Sequence, residues 1–229
     1  MYRKNALIYL VIIFFFICCS SSQPYQLTDG EKTIADSLDI DYEIIRQMRK
    51  YNRNEIEPFH YSISKSFENG KEVELNPIRL NGLVVKEKHS DSYNLIFELK
   101  KTFAENGYTI FMLENNFDIK SRPDVLAILK TTDKYEILRS VQTDGINYGI
   151  DNDSLISIIK RFDEDYSLEL IGASGDWCEF IIHKKSSDWA KLATEIYSVC
   201  PDVVEQGTGS VLELERILTE SRRLYLWWD

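Results

Sequence analysis

The pattern of apolar and polar positions is clearest in the second half of the chain. Apolar side chains at 155–162 recur at i, i+3, i+4 and i+7, which is the spacing of a helix with one buried face. Residues 168–171 and 177–183 are short apolar runs with a turn between them and are predicted strands. Residues 189–200 carry a second helical stripe, and Pro201 ends it because proline cannot continue a helix.

The order of elements in this half predicts an α+β fold. A strand at 125–129 comes first and a strand at 224–228 comes last, so the pattern runs strand, helix, strand, strand, helix, strand. Extra helices are predicted at 133–142 and 211–220. This is the split βαβ, or ferredoxin-like βαββαβ, order. We therefore expect a sheet of mostly antiparallel strands with helices packed on one face.

The first half of the chain has a weaker pattern. A helix in one or two pieces is predicted at 31–50, strands at 56–66 and 82–87, a helix at 90–106, and a strand at 108–113. These elements either extend the same sheet or form a small second one.

The N-terminal residues have the pattern of a bacterial lipoprotein signal. Arg3 and Lys4 precede an unbroken apolar run at 6–17, which is too short to span a bilayer and suits the apolar region of a signal peptide. Cys18 and Cys19 follow. A small residue normally precedes the modified cysteine, so Cys19 is the expected lipidation site. An uncleaved anchor with two ordinary thiols is the alternative.

The chain therefore divides into four predicted parts: a signal peptide at 1–18, a lipidated N-terminus and tether at 19–30, an N-terminal α+β region at 31–107, and a C-terminal α+β domain at 108–229. Acyl chains on one cysteine hold a protein firmly on a membrane. We expect a lipid-anchored protein of the bacterial cell envelope whose domain lies outside the cytoplasm.

The charge of the chain argues against a nucleic-acid partner. The formal net charge is −10, and loss of Arg3 and Lys4 with the signal peptide would make it −12. An acidic surface repels phosphate backbones. The expected partners are the membrane, through the N-terminal lipid, and a protein or a small ligand.

Two cysteines, Cys178 and Cys200, remain in the predicted mature chain. Cys200 lies on an apolar stripe at the C-terminal end of a helix, where the dipole disfavours a thiolate. A core role is therefore favoured over a nucleophile, and a disulfide between the two is the other alternative. Together with His183 they match no zinc spacing, and no cofactor motif is present. We expect neither a metal nor a cofactor.

The polar stretch at 202–209 is the candidate binding loop. Two glycines allow tight turns before a helix that begins near Ser210. The candidate site residues are Asp202, Glu205, Gln206 and Thr208. The turn at 144–148 and Trp177 could join them in space. The alternative is a loop whose side chains satisfy its own backbone and cap the next helix.

The aromatic C-terminal end predicts a two-faced strand. Leu224, Leu226 and Trp228 alternate with Tyr225 and Trp227, so one set lies in the core and the other faces the opposite side. The second set is either covered by the first half of the chain, which we favour, or exposed for a partner.

Four segments of the second half carry a family resemblance. They are TTDKYE at 131–136, GINY at 145–148, CPDVVEQGTG at 200–209 and YLWWD at 225–229. Together they resemble the bacterial family called domain of unknown function 4253, over roughly residues 108–229. The resemblance implies no activity, cofactor or partner.

Two classes of function remain. The first and favoured one is a non-enzymatic binding module of the cell envelope. The second is an envelope hydrolase that uses Asp202 or Glu205 as a general base. The common hydrolase, phosphate-loop and dinucleotide motifs are missing, and His60 and His89, which lack a paired nucleophile motif, are expected at the surface.

Overall fold

The fold is built on a continuous sheet of seven strands. The structure is a computed structural model and describes residues 25–61, 64–68, 71–75, 78–184 and 188–229. In chain order the strands of this sheet are β1 (Ile56–Tyr61), β4 (Ile78–Glu87), β5 (Thr109–Glu114), β6 (Asp124–Leu129), β7 (Leu168–Ala173), β8 (Trp177–Ile182) and β9 (Arg223–Trp227). Their order in space is β1-β4-β6-β5-β7-β8-β9. Strands β2 (Ser64–Glu68) and β3 (Lys71–Leu75) form a separate antiparallel pair.

The pairing confirms the mostly antiparallel α+β sheet. Neighbouring strands are antiparallel except β5 and β7, which are parallel and pair at Met112 and Gly172. The first half of the chain extends the sheet of the second half, since β1 and β4 join it through β6. The boundary predicted at 107/108 therefore lies next to β5, within one sheet.

Helices cover both faces of the sheet. Helices α1 (Asp29–Leu38), α2 (Tyr42–Met48) and α3 (His89–Glu105) pack on one face, and α4 (Lys134–Ser140), α5 (Asn152–Tyr166), α6 (Trp189–Val199) and α7 (Val211–Ser221) pack on the other. Each face has its own buried apolar cluster, because successive side chains of a strand point to opposite sides. The helices of the second half all lie on one face, as predicted.

The βαββαβ order of the second half is present along the chain, but its strands are arranged differently from a ferredoxin-like sheet. Strand β5 lies between β6 and β7, and β9 pairs with β8 at the edge. Each connection also contains two helices, α4 and α5 before β7 and α6 and α7 before β9. Because β5 is antiparallel to β6 and parallel to β7, β7 runs antiparallel to β6.

Helix boundaries follow the local sequence. The helix predicted at 31–50 forms as two pieces, α1 and α2, because Asp39 adopts φ 53° and ends the first. A buried ion pair between Arg49 Nε and Glu31 Oε1, 2.6 Å apart, then holds the two pieces together. Helix α7 begins at the predicted Ser210, whose side chain accepts a hydrogen bond from the amide of Glu213.

The predicted signal peptide and Cys19 lie outside the described residues, as does most of the tether predicted at 19–30. The part of the tether that the structure describes starts at Tyr25, and helix α1 begins at Asp29. Within the described part of the chain, no helix combines the length and apolar character needed to cross a membrane.

Candidate functional site

The candidate loop is a π-helix, Val203–Thr208, that begins directly after a buried carboxylate. Asp202 is 2% exposed. Its Oδ1 accepts hydrogen bonds from the Tyr148 hydroxyl at 2.6 Å and from Gln206 Nε2 at 2.9 Å, and its Oδ2 accepts one from the amide of Asp229 at 2.9 Å. The hydrogen bond from Tyr148 is the main reason that the pKa of Asp202 lies below its usual value.

The other three predicted site residues do not converge with Asp202 on one open point. Only Gln206 contacts it. Glu205 is exposed and accepts a hydrogen bond from the Tyr197 hydroxyl at 3.1 Å. The Thr208 hydroxyl donates to the carbonyl of Ser210 at 3.1 Å.

Three of the four signature segments meet around Asp202. The turn at 145–148 supplies Tyr148, and the segment 225–229 supplies the amide of Asp229. Gly145 packs so closely on the Trp228 ring that a Cβ there would lie 2.7 Å from Nε1. That Nε1 donates to the carbonyl of Val199 at 3.0 Å. The turn at 144–148 therefore meets the loop, a contact that the sequence had left open, and we call this arrangement the Asp202 clasp.

The two cysteines are free and buried in the same apolar cluster. Burial raises the pKa of the Cys178 thiol far above its usual value and that of Cys200 to about 12. The Cys200 Sγ donates to the carbonyl of Trp227 at 2.9 Å. Both thiols therefore pack in the core, and neither carries the exposed, lowered-pKa environment of a nucleophile.

A different concave surface lies at the β8–β9 end of the sheet, on the face that α1–α3 cover elsewhere. Helix α3 packs on β5 and β6, so beyond its N-terminal end the sheet face opens into a cleft of about 710 Å³. This volume is typical of a small-molecule site. We call it the aromatic cleft, after the side chains that form its walls: Tyr93, Phe117, Trp177, Tyr225 and Trp227.

Strand register brings the main rings together. Trp177 pairs with Trp227, and Glu179 pairs with Tyr225 across β8 and β9. The Trp177 and Tyr225 rings are stacked, with centroids 5.4 Å apart and planes at 19°. The Tyr225 and Trp227 rings are tilted by 53° at 5.5 Å. Tyr225 and Trp227 are only partly buried, and both line the cleft.

A carboxylate lies on the floor of the cleft among these rings. Glu179 is 3% exposed. Its Oε2 accepts a 2.6 Å hydrogen bond from the Tyr93 hydroxyl, and its Oε1 lies 3.1 Å from Arg223 Nε. Burial raises the pKa of Glu179, and Tyr93 and Arg223 offset this only in part. A carboxylate with a raised pKa in a concave apolar site is a common feature of functional sites.

One wall of the cleft is organised by a second buried carboxylate. Asp124 is fully buried. Its Oδ2 accepts a hydrogen bond from the Ser92 hydroxyl at 2.6 Å and lies 2.9 Å from His89 Nδ1, while its Oδ1 accepts one from the amide of Asn116 at 2.8 Å. His89 is thus a fixed wall residue, half-buried, whereas His60 is exposed.

Two glycines make room for the tryptophans of the cleft. A Cβ on Gly172 would lie 2.6 Å from the Trp177 ring, and a Cβ on Gly207 would lie 2.5 Å from the Trp227 ring. Such distances are too short for any other residue without movement of the ring. Because Gly207 belongs to the π-helix, the candidate loop supports one side of the cleft from behind.

No group of three or more His, Cys, Asp or Glu side chains is arranged to hold a metal ion in the part of the chain that the structure describes. The polar residues of the cleft can form hydrogen bonds and ion pairs with a ligand. They are His89, Asn115, Asp176, Glu179 and Arg223.

Sequence reasoning located only part of the cleft. It placed Tyr225 and Trp227 on one face of the last strand, and the structure shows that face packed partly against the first half of the chain and partly open. Trp177 and Glu179 are two residues apart in β8, so the sequence did indicate that they share one face of the strand. The contributions of His89 and Tyr93 had no signal, because nothing in the sequence shows which strand end α3 reaches.

The family model described as domain of unknown function (DUF4253) matches residues 125–229, in the C-terminal half of the chain. The matched segment begins at β6 and includes the Asp202 clasp and strands β8 and β9 of the cleft. The curated proteins and the solved structures gave no match.

Proposed function

We propose that this protein is a lipid-anchored binding module of the bacterial cell envelope, without catalytic activity, that holds a small ligand in the aromatic cleft. The observation that carries the proposal is the cleft itself. It combines aromatic side chains with a few convergent polar groups in a volume of about 710 Å³.

The anchor is supported by the sequence alone. An apolar run at 6–17 ends directly before Cys18 and Cys19, and this is the arrangement of a lipoprotein signal peptide. Mass spectrometry of the protein from its native membrane should find an N-terminal peptide that begins at acylated Cys19. Cys19→Ser should lose that modification and leave the membrane fraction. An intact Met1 with unmodified thiols would overturn this part of the proposal.

Binding is favoured over hydrolysis by the state of the loop carboxylates. A general base needs an accessible lone pair and a pKa near the working pH. Asp202 is buried, accepts three hydrogen bonds and has a lowered pKa, and each of these weakens it as a base. Glu205 lies on the surface beside Tyr197. An envelope hydrolase that uses these carboxylates is the second candidate, and Glu205→Gln would remove its more accessible base.

A library screen by saturation-transfer NMR tests the site of binding. Bound compounds should lose their signal with Tyr225→Ala, which removes a wall of the cleft. They should keep it with Tyr51→Ala, which removes a tyrosine that is 53% exposed and lies outside the cleft. Compounds that respond to Glu205→Gln and not to Tyr225→Ala would place the site on the 202–209 loop and contradict the proposal.

A further inference from the structure

The rings of the aromatic cleft line one shared space. Trp177, Tyr225 and Trp227 follow each other across two paired strands, with centroids 5.4 and 5.5 Å apart. The faces of aromatic rings carry partial negative charge, and cations within about 6 Å of a ring centroid are attracted to them. A group of adjacent rings around one space is the arrangement that binds ammonium groups in proteins.

The charged groups of the cleft add to this negative potential. Two acidic residues, Asp176 and Glu179, line the cleft, and Arg223 is the single arginine among its lining residues. His89 also lines it and is paired with the buried Asp124. The negative charges also act on the Tyr225 side chain. Burial raises the pKa of Tyr225, and the charges of Glu179 and Asp176 raise it further. The formal net charge of the whole chain, −10, has the same sign.

Arg223 is held by two other residues of the cleft. Its Nε contacts Glu179 at 3.1 Å, and its guanidinium carbon lies 4.3 Å from the centroid of the Tyr93 ring. In the described part of the chain, the cation–ring contacts leave Trp177, Tyr225 and Trp227 without a cation. The contact with Tyr93 also demonstrates that a ring of this cleft accepts a positive group.

The geometry points to a ligand class for the proposed binding site: a small soluble molecule whose ammonium group contacts Trp177, Tyr225 and Trp227 and is balanced by Glu179 and Asp176. This inference rests on the proposed function, because it names the chemistry of the same cleft. A cleft of about 710 Å³ suits a small molecule, which is why a free ligand is favoured over a lysine side chain of a partner.

A matched pair of probes tests the charge requirement. Choline carries a quaternary ammonium group, and dimethylbutanol is its uncharged isostere with the same shape. Both are titrated into the full chain in maltoside micelles, which contain no choline headgroups, and binding is followed by calorimetry. Choline should bind about tenfold more tightly than the isostere, and the preference should weaken as salt is added.

Matched substitutions test the residues. Glu179→Gln should reduce the preference for choline over the isostere to about threefold or less. Glu169→Gln should leave it unchanged, because Glu169 pairs with Lys100 and His183 outside the cleft. Tyr225→Leu keeps both carboxylates, so a loss of choline binding by this folded variant would show that the ring is needed too.

Three results would overturn the inference. Equal affinity for both probes would show that the cleft does not select a cation, and the proposed function would stand. Failure of choline to bind at its highest usable concentration would exclude an ammonium compound as the ligand class. The NMR screen decides separately whether the cleft binds any small molecule. A tri-lysine peptide that binds more tightly than choline would overturn the small-molecule source.

Discussion

The Tyr148 hydroxyl donates a 2.6 Å hydrogen bond to Asp202, 54 residues further along the chain. The same carboxylate accepts from the amide of Asp229, so the turn at 145–148, the start of the π-helix and the C-terminus are fastened at one point. Three of the segments that carry the family resemblance therefore share a structural role. The role of the clasp is to hold β9, and with it one wall of the cleft, in place.

Asp202→Asn should destabilise the protein by about 1–3 kcal/mol, because an amide nitrogen would face donors and leave buried hydrogen-bond groups unsatisfied. Tyr148→Phe should cost less, since it removes one of three hydrogen bonds to this carboxylate. Urea denaturation measures both. The control is Asp165→Asn, an exposed position on α5, which should not change the midpoint. An unchanged midpoint for Asp202→Asn would contradict the clasp.

Stability should depend on pH in opposite ways through two glutamates. Burial raises the folded-state pKa of Glu179, so its ionisation destabilises the fold, and stability falls as pH rises from the ordinary value near 4.5 through the raised one. Its neighbours Tyr93 and Tyr225 have raised pKa values and stay neutral in this range. Relative to the unmodified protein, Glu179→Gln should therefore gain stability as pH rises across this window.

Glu169→Gln should show the reverse trend. Burial opposes ionisation of Glu169, but hydrogen bonds from Lys100 and His183 outweigh it and lower the pKa. Its contribution to stability is present above the unfolded pKa and is lost as pH falls through the folded one. This variant should therefore lose stability relative to the unmodified protein as pH rises from acid. Thermal unfolding at several pH values measures both, and parallel curves would contradict the burial of Glu179.

Gly172→Ala and Gly207→Ala should each displace a tryptophan of the cleft, because the added methyl group would lie 2.6 Å from Trp177 or 2.5 Å from Trp227. Overpacking of this kind costs about 1–3 kcal/mol. Near-ultraviolet circular dichroism should change with the ring positions. Gly30→Ala in α1 would place the added methyl group 4.0 Å from Thr28 Oγ1, an ordinary contact, and should be neutral or stabilising, since alanine favours helices. Unchanged spectra for both cleft variants would place the rings elsewhere.

Cys178 and Cys200 should resist alkylation in the folded protein, because both are buried and their thiols have raised pKa values. Peptide mass spectrometry after iodoacetamide should find both residues unmodified until denaturant is added. The same experiment without reductant should recover two separate peptides. Recovery of the two peptides linked by a disulfide would instead support the alternative that Cys178 and Cys200 are bridged in an oxidising compartment.

The sequence predicted most elements because local signals set them. The capped helix at Ser210, the stop at Pro201 and the alternation in 224–228 each depend on near neighbours, and all three are present. The strand predicted at 56–66 covers β1 and the first residues of β2, whereas β3 was missed because its residues offered turn signals and little apolar alternation. The order of strands was also beyond reach, because it depends on pairing between strands that are not consecutive in the chain.

The candidate site also divides into features that the local sequence indicates and features that only tertiary contacts create. The candidate loop at 202–209 was conspicuous because it is polar and rich in glycine, yet its acids are directed to Tyr148, Asp229 and Tyr197. The cleft draws on α3, on the segment after β5, and on strands β8 and β9, which come much later along the chain. Only the folded sheet brings these together, so Glu179 and His89 could not be grouped from spacing.

Fluorine NMR of protein labelled with fluorotryptophan tests the cleft most directly. The chain has four tryptophans: Trp177 and Trp227 line the cleft, while Trp189 and Trp228 pack in the cluster on the opposite face. Titration with the strongest compound from the screen should shift the resonances of Trp177 and Trp227 and leave the other two in place. Shifts confined to Trp189 and Trp228, or no shift on saturation, would contradict ligand binding in the aromatic cleft.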